Sequence, residues 1–257
     1  MTIAAVAAAG AFALPVASTG LGAPAPELRW SLIAARPHDP QAFTQGLVAY
    51  KGVLLESTGL TGKSSIRRVD AKTGAVLMVR PNAPEIFGEG LTVLRGTAWQ
   101  LTWTNRRILG VDPLTLGKRR DRPYPREGWG LTTDGTSLIA GDGTATLRWI
   151  DPVTLRTQRR VRVTDDGLPV TYLNELELLD GVLWANIWQS DRVALIDPAS
   201  GHVRAWLDLA RLRTRLPRPG EVLNGIARDP VTGHVVVTGK YWARMFVIRL
   251  RGALPIT

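Results

Sequence analysis

Apolar residues in this chain come in short runs of three to six, each ended by a turn signal. Val53-Leu54-Leu55, Ala98-Trp99-Gln100-Leu101, Ser137-Leu138-Ile139-Ala140, Val182-Leu183-Trp184-Ala185 and Val235-Val236-Val237-Thr238 have the length and composition of strands. Leu147-Arg148-Trp149-Ile150 and Val193-Ala194-Leu195-Ile196 are of the same kind and run into turns that begin with Asp. Those turns are Val69-Asp70-Ala71-Lys72-Thr73-Gly74, Val111-Asp112-Pro113-Leu114-Thr115, Ile150-Asp151-Pro152-Val153-Thr154 and Ile196-Asp197-Pro198-Ala199-Ser200-Gly201. Asp-Pro and Thr/Ser-Gly pairs favour turns because Asp bonds its own backbone and Pro and Gly preset the dihedrals. No segment has the 3.6-residue periodicity of a long amphipathic helix, so the pattern predicts an all-β chain.

The runs repeat. Phe43-Thr44-Gln45-Gly46-Leu47, Phe87-Gly88-Glu89-Gly90-Leu91, Glu127-Gly128-Trp129-Gly130-Leu131, Leu173-Asn174-Glu175-Leu176-Glu177 and Leu223-Asn224-Gly225-Ile226-Ala227 follow one another at steps of 44, 40, 46 and 50 residues, counted at the middle residue. About 40–50 residues is the length of one propeller blade. A second landmark follows each: Ser57-Thr58-Gly59, Leu101-Thr102-Trp103, Gly141-Asp142-Gly143, Ala185-Asn186-Ile187-Trp188 and Thr238-Gly239-Lys240. Each unit supplies four strands, except that the fifth stops one short after Met245–Leu250. The strand-like Leu28–Ile33 precedes the first unit and is expected to complete the last blade. The predicted fold is a five-bladed β-propeller of four-stranded antiparallel blades, closed by pairing the two ends of the chain.

Innermost propeller strands line a central channel. The first landmark therefore brings Gln45, Glu89, Trp129, Asn174, Glu175 and Asn224 together, and the second returns Trp103, Asp142, Asn186, Trp188, Lys240 and Trp242 to the same face. Four of the nine tryptophans lie on these landmarks. Beside carboxylates and amides they suggest an aromatic-walled polar pocket, with blade-to-blade packing as the alternative. Glu89, between two glycines, reads either as a solvated or salt-bridged carboxylate or as a desolvated proton carrier. Glu175 and Glu177 are candidate partners for Lys240 or an arginine, and Lys240 is either a pocket cation or a surface lysine.

Composition narrows the chemistry. The chain has 257 residues, 45% of them hydrophobic, enough for one full domain. It has no cysteine, which excludes disulfides, thiolate metal sites and Cys nucleophiles. Its three histidines are not spaced as a metal cluster, so no transition metal is expected, whereas a structural calcium held by Glu, Asn and backbone oxygens in the channel is compatible with the residues. Gly59-Leu60-Thr61-Gly62-Lys63-Ser64 is two residues short of a phosphate loop, Gly88-Glu89-Gly90 lacks the third glycine of a dinucleotide loop, and no Gly-x-Ser-x-Gly occurs. The net charge of +10 sits in separated clusters without a nucleic-acid motif, which places them on solvated outer strands and loops. Residues 1–26 differ from the rest. Ile3–Val16 is apolar and Ala-rich and is followed by small residues and Pro, the pattern of an export signal, with a disordered extension as the alternative. Residues 27–257 are then the propeller, a monomer that is periplasmic or secreted and engages neither nucleic acid nor membrane.

The five landmark segments, together with Glu56-Ser57-Thr58-Gly59-Leu60, Lys63-Ser64-Ser65-Ile66-Arg67, Leu101-Thr102-Trp103, Ala185-Asn186-Ile187-Trp188 and Thr238-Gly239-Lys240, resemble the plant-type glutaminyl-peptide cyclotransferases from about His38 to Ile248. Tyr241-Trp242-Ala243 departs from the family pattern, in which Trp and then Pro follow the lysine. The resemblance implies a five-bladed propeller that converts N-terminal glutamine of peptides and proteins to pyroglutamate and releases ammonia. It implies that Glu89 is the acid/base, with Asn174 and Lys240 beside it in the catalytic set. Gln45, Trp103, Trp129, Glu175, Trp188 and Asn224 are expected to bind substrate, and no cofactor is required. Two other readings remain at this stage: a calcium-dependent, lactonase-like hydrolase and a non-catalytic peptide-binding propeller.

Overall fold

The Asp-led turns form as their chemistry dictates. The carboxylates of Asp70, Asp112, Asp151 and Asp197 each accept the backbone N–H groups two and three residues on. Each turn thereby reverses the chain into the outermost strand of a blade. The computed structural model describes residues 23–253. The expected export signal falls mainly on residues 1–22, which lie outside the described residues.

The first strand, β1 (Arg29–Pro37), stands apart from its sequence neighbours. Blade one is β2 (Thr44–Tyr50), β3 (Val53–Thr58), β4 (Ser65–Val69) and β5 (Val76–Pro81). Blade two is β6 (Gly88–Leu94), β7 (Thr97–Thr102), β8 (Arg107–Val111) and β9 (Lys118–Pro123), and blade three is β10 (Leu131–Thr133), β11 (Leu138–Ala140), β12 (Thr146–Ile150) and β13 (Thr157–Arg162). A two-stranded hairpin, β14 (Thr164–Asp165) with β15 (Leu168–Pro169), precedes blade four, which is β16 (Leu173–Leu179), β17 (Val182–Ile187), β18 (Arg192–Ile196) and β19 (Val203–Asp208). A 3-10 helix, Ala210–Arg215, precedes blade five, formed by β20 (Leu223–Arg228), β21 (Val235–Gly239), β22 (Arg244–Arg251) and β1. The hairpin and the 3-10 helix account for the two longest steps of the repeat.

Strand β1 pairs antiparallel with β22, from Arg29 opposite Arg251 to Pro37 opposite Arg244. The expected closure of the ring is borne out: the strand that precedes blade one is the outermost strand of blade five. The inner strands contact one another around the ring in the order β2, β6, β10, β16, β20 and back to β2.

Apolar side chains sit in five layers, one between each pair of blades. Leu55, Ile66, Leu91 and Val111 fill the layer between blades one and two, and Leu101, Ile108, Leu138 and Ile150 the next. Leu147, Trp149, Leu183 and Ala194 lie between blades three and four, Trp184, Leu195, Val237 and Phe246 between four and five, and Val236, Val247, Leu47 and Leu54 close the circle. Each buried Leu, Ile, Val or Phe among them contributes about 1.5–3 kcal/mol, so stability is spread around the ring. The basic clusters fall outside it, as expected: Lys118-Arg119-Arg120 and Arg159-Arg160 are exposed on the outer strands β9 and β13. Arg159 also stacks on Trp149, its guanidinium 3.9 Å from the ring centre. Such charges discourage strand pairing with other chains.

Candidate active site

Four of the five inner strands carry an irregularity at the same place. Between Thr44 and Leu47, Gly88 and Leu91, Leu173 and Leu176, and Leu223 and Ile226, the inner strand has one residue more than its partner. Such bulges break the alternation of side chains and re-aim one of them. Counted back two residues from Leu47, Leu91, Leu131, Leu176 and Ile226, the re-aimed position holds Gln45, Glu89, Trp129, Asn174 and Asn224. The next position holds Gly46, Gly90, Gly130, Glu175 and Gly225. There the strands approach so closely that a Cβ on Gly90 would stand 2.4 Å from the Leu131 nitrogen, and one on Gly130 only 1.9 Å from the Asn174 oxygen.

A cavity of about 270 Å³ opens at this end of the channel. Its walls are Phe43, Gln45, Phe87, Glu89, Trp103, Trp129, Asn174, Trp188 and Lys240. Seven of the expected residues thus meet: Gln45, Glu89, Trp103, Trp129, Asn174, Trp188 and Lys240. Trp188 and Lys240 come from the second landmark, where the chain turns through a residue in the left-handed region, Gln189 at φ 61° and Tyr241 at φ 60°. Bulky residues rarely adopt this conformation, and where they do the strain is commonly found at functional sites.

Aromatic rings form the cavity mouth in two arcs. Tyr241, Phe43, Phe87 and Trp103 make one, with successive ring centres 5.3, 6.1 and 5.5 Å apart. Trp129, Trp188 and Tyr172 make the other, at 5.7 and 5.8 Å. Lys240 closes the gap beside Tyr241, its Nζ 4.6 Å from the centre of the Phe43 ring. Glu127 stands at the other gap, accepting a hydrogen bond from Trp103 Nε1 at 3.2 Å.

Glu89 is the acid on the cavity wall. Burial pushes its carboxyl well above the usual carboxylate range; the nearby Lys240 ammonium opposes the shift and Glu127 adds to it. Burial lowers Lys240 in turn, against the pull of Glu89 and Glu221. Gln45 Nε2 donates to Glu89 Oε1 at 3.1 Å, and Asn224 Nδ2 donates to Gln45 Oε1 at 3.1 Å and to Thr44 O at 2.9 Å. Behind this chain Thr44 Oγ1 donates to Glu56, which also binds Arg67 and His38. Both ring nitrogens of His38 face acceptors, Glu56 Oε1 at 2.9 Å and Trp242 O at 2.7 Å. Burial alone would lower this imidazole, but Glu56 raises it, and the doubly protonated ring with Arg67 holds Glu56 down at about 2 against its own burial. A rigid ionic core thus fixes the strand that carries Gln45.

Several expected positions are corrected. Glu175 does not line the cavity. It occupies the axial position that is glycine in the other four blades, and its Oε1 accepts the Leu47 N–H at 3.3 Å across the channel. Burial, reinforced by Glu177, raises its carboxyl well above the usual range. It binds neither Lys240 nor an arginine. Asn224 does not line the cavity either; it holds Gln45. Asp142 pairs with Arg148 at 2.7 Å, and Asn186 accepts the Gly225 N–H at 3.0 Å. Trp242 is wholly buried in the layer between blades four and five, laid over Gly220 and Gly239. Phe43 and Phe87 were missed as site residues. Their signal was present: each stands two residues before Gln45 or Glu89, at the same place in the repeat.

Of the channel oxygens that a calcium would use, Glu175 Oε2, Asn174 Oδ1 and Asn224 Oδ1 have no partner in the protein. That ion takes six to eight oxygen ligands, whereas backbone N–H groups of Leu47 and Ile226 approach the Glu175 carboxyl. Among the described residues no group of three or more His, Cys, Asp or Glu is placed to hold a metal.

Fold and site define a five-bladed propeller with one buried acid in an aromatic-walled cavity, the architecture of a propeller enzyme. Residues 2–250 match the family described as Glutamine cyclotransferase. A glutaminyl-peptide cyclotransferase of Arabidopsis thaliana is 42% identical over 228 residues, covering 86% of this chain and 71% of the relative. The crystal structure of Myxococcus xanthus glutaminyl cyclase superposes with a TM-score of 0.79 at 35% identity, covering 87% of this chain and 98% of that one. The chain belongs to the glutamine cyclotransferase family.

Proposed function

We propose that this chain converts the N-terminal glutamine of peptides and proteins to pyroglutamate with release of ammonia, and that Glu89 carries the proton. The observation that carries this reading is the polar content of the cavity. A buried acid of raised proton affinity faces it, and two polar atoms of its walls, Asn174 Oδ1 and Trp129 Nε1, have no partner in the protein. An orphaned acceptor and an orphaned donor are what a primary carboxamide satisfies, since it offers both N–H and C=O.

In the reaction the substrate α-nitrogen attacks the δ-carbon of its own side chain. A carbon–nitrogen bond forms, the carbonyl π pair moves to oxygen, and the new adduct carries a proton too many on the attacking nitrogen. Glu89 takes that proton and delivers it to the carboxamide nitrogen, which leaves as ammonia when the carbonyl re-forms. Nucleophile and electrophile are tethered already, so the cavity's work is to hold the near-attack conformer. Burial raises the proton affinity of Glu89, which suits it to hold the proton between the two transfers. Lys240 and the Trp129 N–H stabilise the oxyanion. The aromatic arcs exclude water, which would otherwise hydrolyse the amide to glutamate. The reaction runs on protein groups without a cofactor. Support for export, and hence for substrates outside the cytoplasm, is the composition of residues 1–26.

The test is ammonia release, with mass loss of one ammonia, from a peptide that begins with glutamine. A peptide beginning with asparagine or an internal glutamine should give none, and no release from the glutamine peptide would end the proposal.

A further inference from the structure

Three of the seven rings at the mouth of the cavity come from one position of the repeat, four residues before the apolar anchor. That position holds Phe43, Phe87, Glu127, Tyr172 and Val222 in the five blades. Three are aromatic and stand in the two arcs of rings, and one is aliphatic. Glu127 is the single charged group in the set. It is half-buried, held by the Trp103 N–H, and makes no ion pair among the described residues. Trp103 lines the cavity and Trp129, two residues on, lines its opposite arc, so Glu127 stands where the arcs part.

An N-terminal α-amine has a pKa of about 7.7–8.0 and arrives mostly as an ammonium at neutral pH. It must enter a protein of net charge +10, past Lys240, into a cavity walled largely by aromatic rings. A cation meets that environment at a cost unless a local anion receives it. We propose that Glu127 is the positioning residue that receives the protonated α-amine of the substrate at the cavity mouth. The carboxylate has oxygen lone pairs beyond the one that Trp103 occupies, enough to accept from an ammonium. Its field also reaches Glu89, whose proton affinity it raises. Trp103 stands beside it, and Glu89 and Lys240 are the ionisable groups of the cavity wall. The inference rests on the cyclisation reading and assigns the part of the substrate that this carboxylate recognises.

The experiment compares wild type with Glu127→Gln, an isosteric change that keeps an acceptor for Trp103. At pH 7 the KM of a glutamine-initiated peptide should rise ~3–10-fold, the scale of one partly screened charge pair, with a smaller change in kcat through the field on Glu89. The inhibition constants of two ligands that lack the amine, the pyroglutamyl product and the des-amino glutaramoyl peptide, should not move. Glu127→Asp should recover most of the KM. An unmoved KM overturns the assignment. So does a rise of KM and both inhibition constants together, which would mean that Glu127 acts through the Trp103 wall, or a loss confined to kcat. If the wild type does not cyclise the peptide at all, the functional reading fails and this one with it; turnover with an unmoved KM removes this one alone.

Discussion

Gln45 donates its amide N–H to Glu89 at 3.1 Å while Asn224 donates to the Gln45 carbonyl at the same distance. The second bond decides the first. With its oxygen turned to Asn224, the Gln45 amide must present nitrogen to Glu89. Residues of three blades thus fix the hydrogen bond that one carboxyl accepts.

Asn224→Ala should disturb Glu89 without touching the cavity wall. Gln45 loses the partner that orients it and can turn its oxygen to Glu89. A donor to a carboxylate favours the charged form, so its loss raises the proton affinity of Glu89 further. The pH profile of kcat/KM should move to higher pH, and kcat should fall ~10–100-fold, the scale of one hydrogen bond to a charged group. An unshifted profile would remove Asn224 from the chain of orientation.

Glu89→Gln should lower kcat by ~10²–10⁴-fold with folding retained, because the amide keeps the shape but cannot cycle a proton. Attack needs both the substrate amine and Glu89 without their protons. The amine titrates at about 7.7–8.0 and Glu89 is raised by burial, so kcat/KM of the wild type should climb from neutral to mildly alkaline pH. An N-acetylated glutamine peptide, which has no free amine, should not react. Turnover of that peptide would remove cyclisation from the mechanism.

Glu177 offers a stability test away from the cavity. Burial raises its carboxyl from 4.5 to about 8, opposed by Thr132, Arg228 and the Leu178 N–H. The folded protein therefore binds this proton more tightly than the unfolded chain. The stabilisation is complete below pH 4.5 and is lost as pH rises towards 8. Glu177→Gln keeps an acceptor for Thr132 and carries no charge. It should exceed wild type in stability at pH 8 by ~1–3 kcal/mol, with the advantage shrinking at pH 5. Denaturant unfolding at the two values checks the sign.

Gly130→Ala places a methyl 1.9 Å from the Asn174 carbonyl oxygen and 2.6 Å from Leu176 Cγ. Both are main features of the strand that carries Asn174, so blades three and four must separate or the strand must bend. The change should cost ~1–3 kcal/mol or more, the scale of overpacking, and lower turnover along with the melting temperature. The same substitution at Gly135, where no atom lies within 4 Å, controls for the loss of glycine as such, although its φ of 86° adds some strain of its own.

Much of the architecture was written in one dimension. The Asp turns, the short apolar runs and the strand missing from the fifth unit act through neighbours in sequence or through simple alternation, and they led to five blades and to closure by Leu28–Ile33, which the structure shows within Arg29–Pro37 and its preceding residue. Gln45, Glu89, Trp103, Trp129, Asn174, Trp188 and Lys240 were legible because each follows a repeated landmark. Family resemblance added the reaction, which periodicity alone could not reach.

Tertiary structure decided the rest. Counting by the middle residue put Glu175 and Gly225 in register with Glu89, but the bulges make Asn174 and Asn224 the equivalents. A bulge shifts side-chain direction by one residue and is defined by the partner strand, which sequence does not display. Trp242 lay on a landmark as surely as Trp188 did. It turned inward because Gly220 and Gly239 leave a surface for its indole between two blades, whereas Trp188 had the cavity before it. The ionisation of Glu89 is likewise a property of the closed ring. Its residue type and spacing come from blade two, but its proton affinity comes from burial, from Lys240 of blade five and from Glu127 at the entry to blade three. Those groups meet only when the two ends of the chain pair.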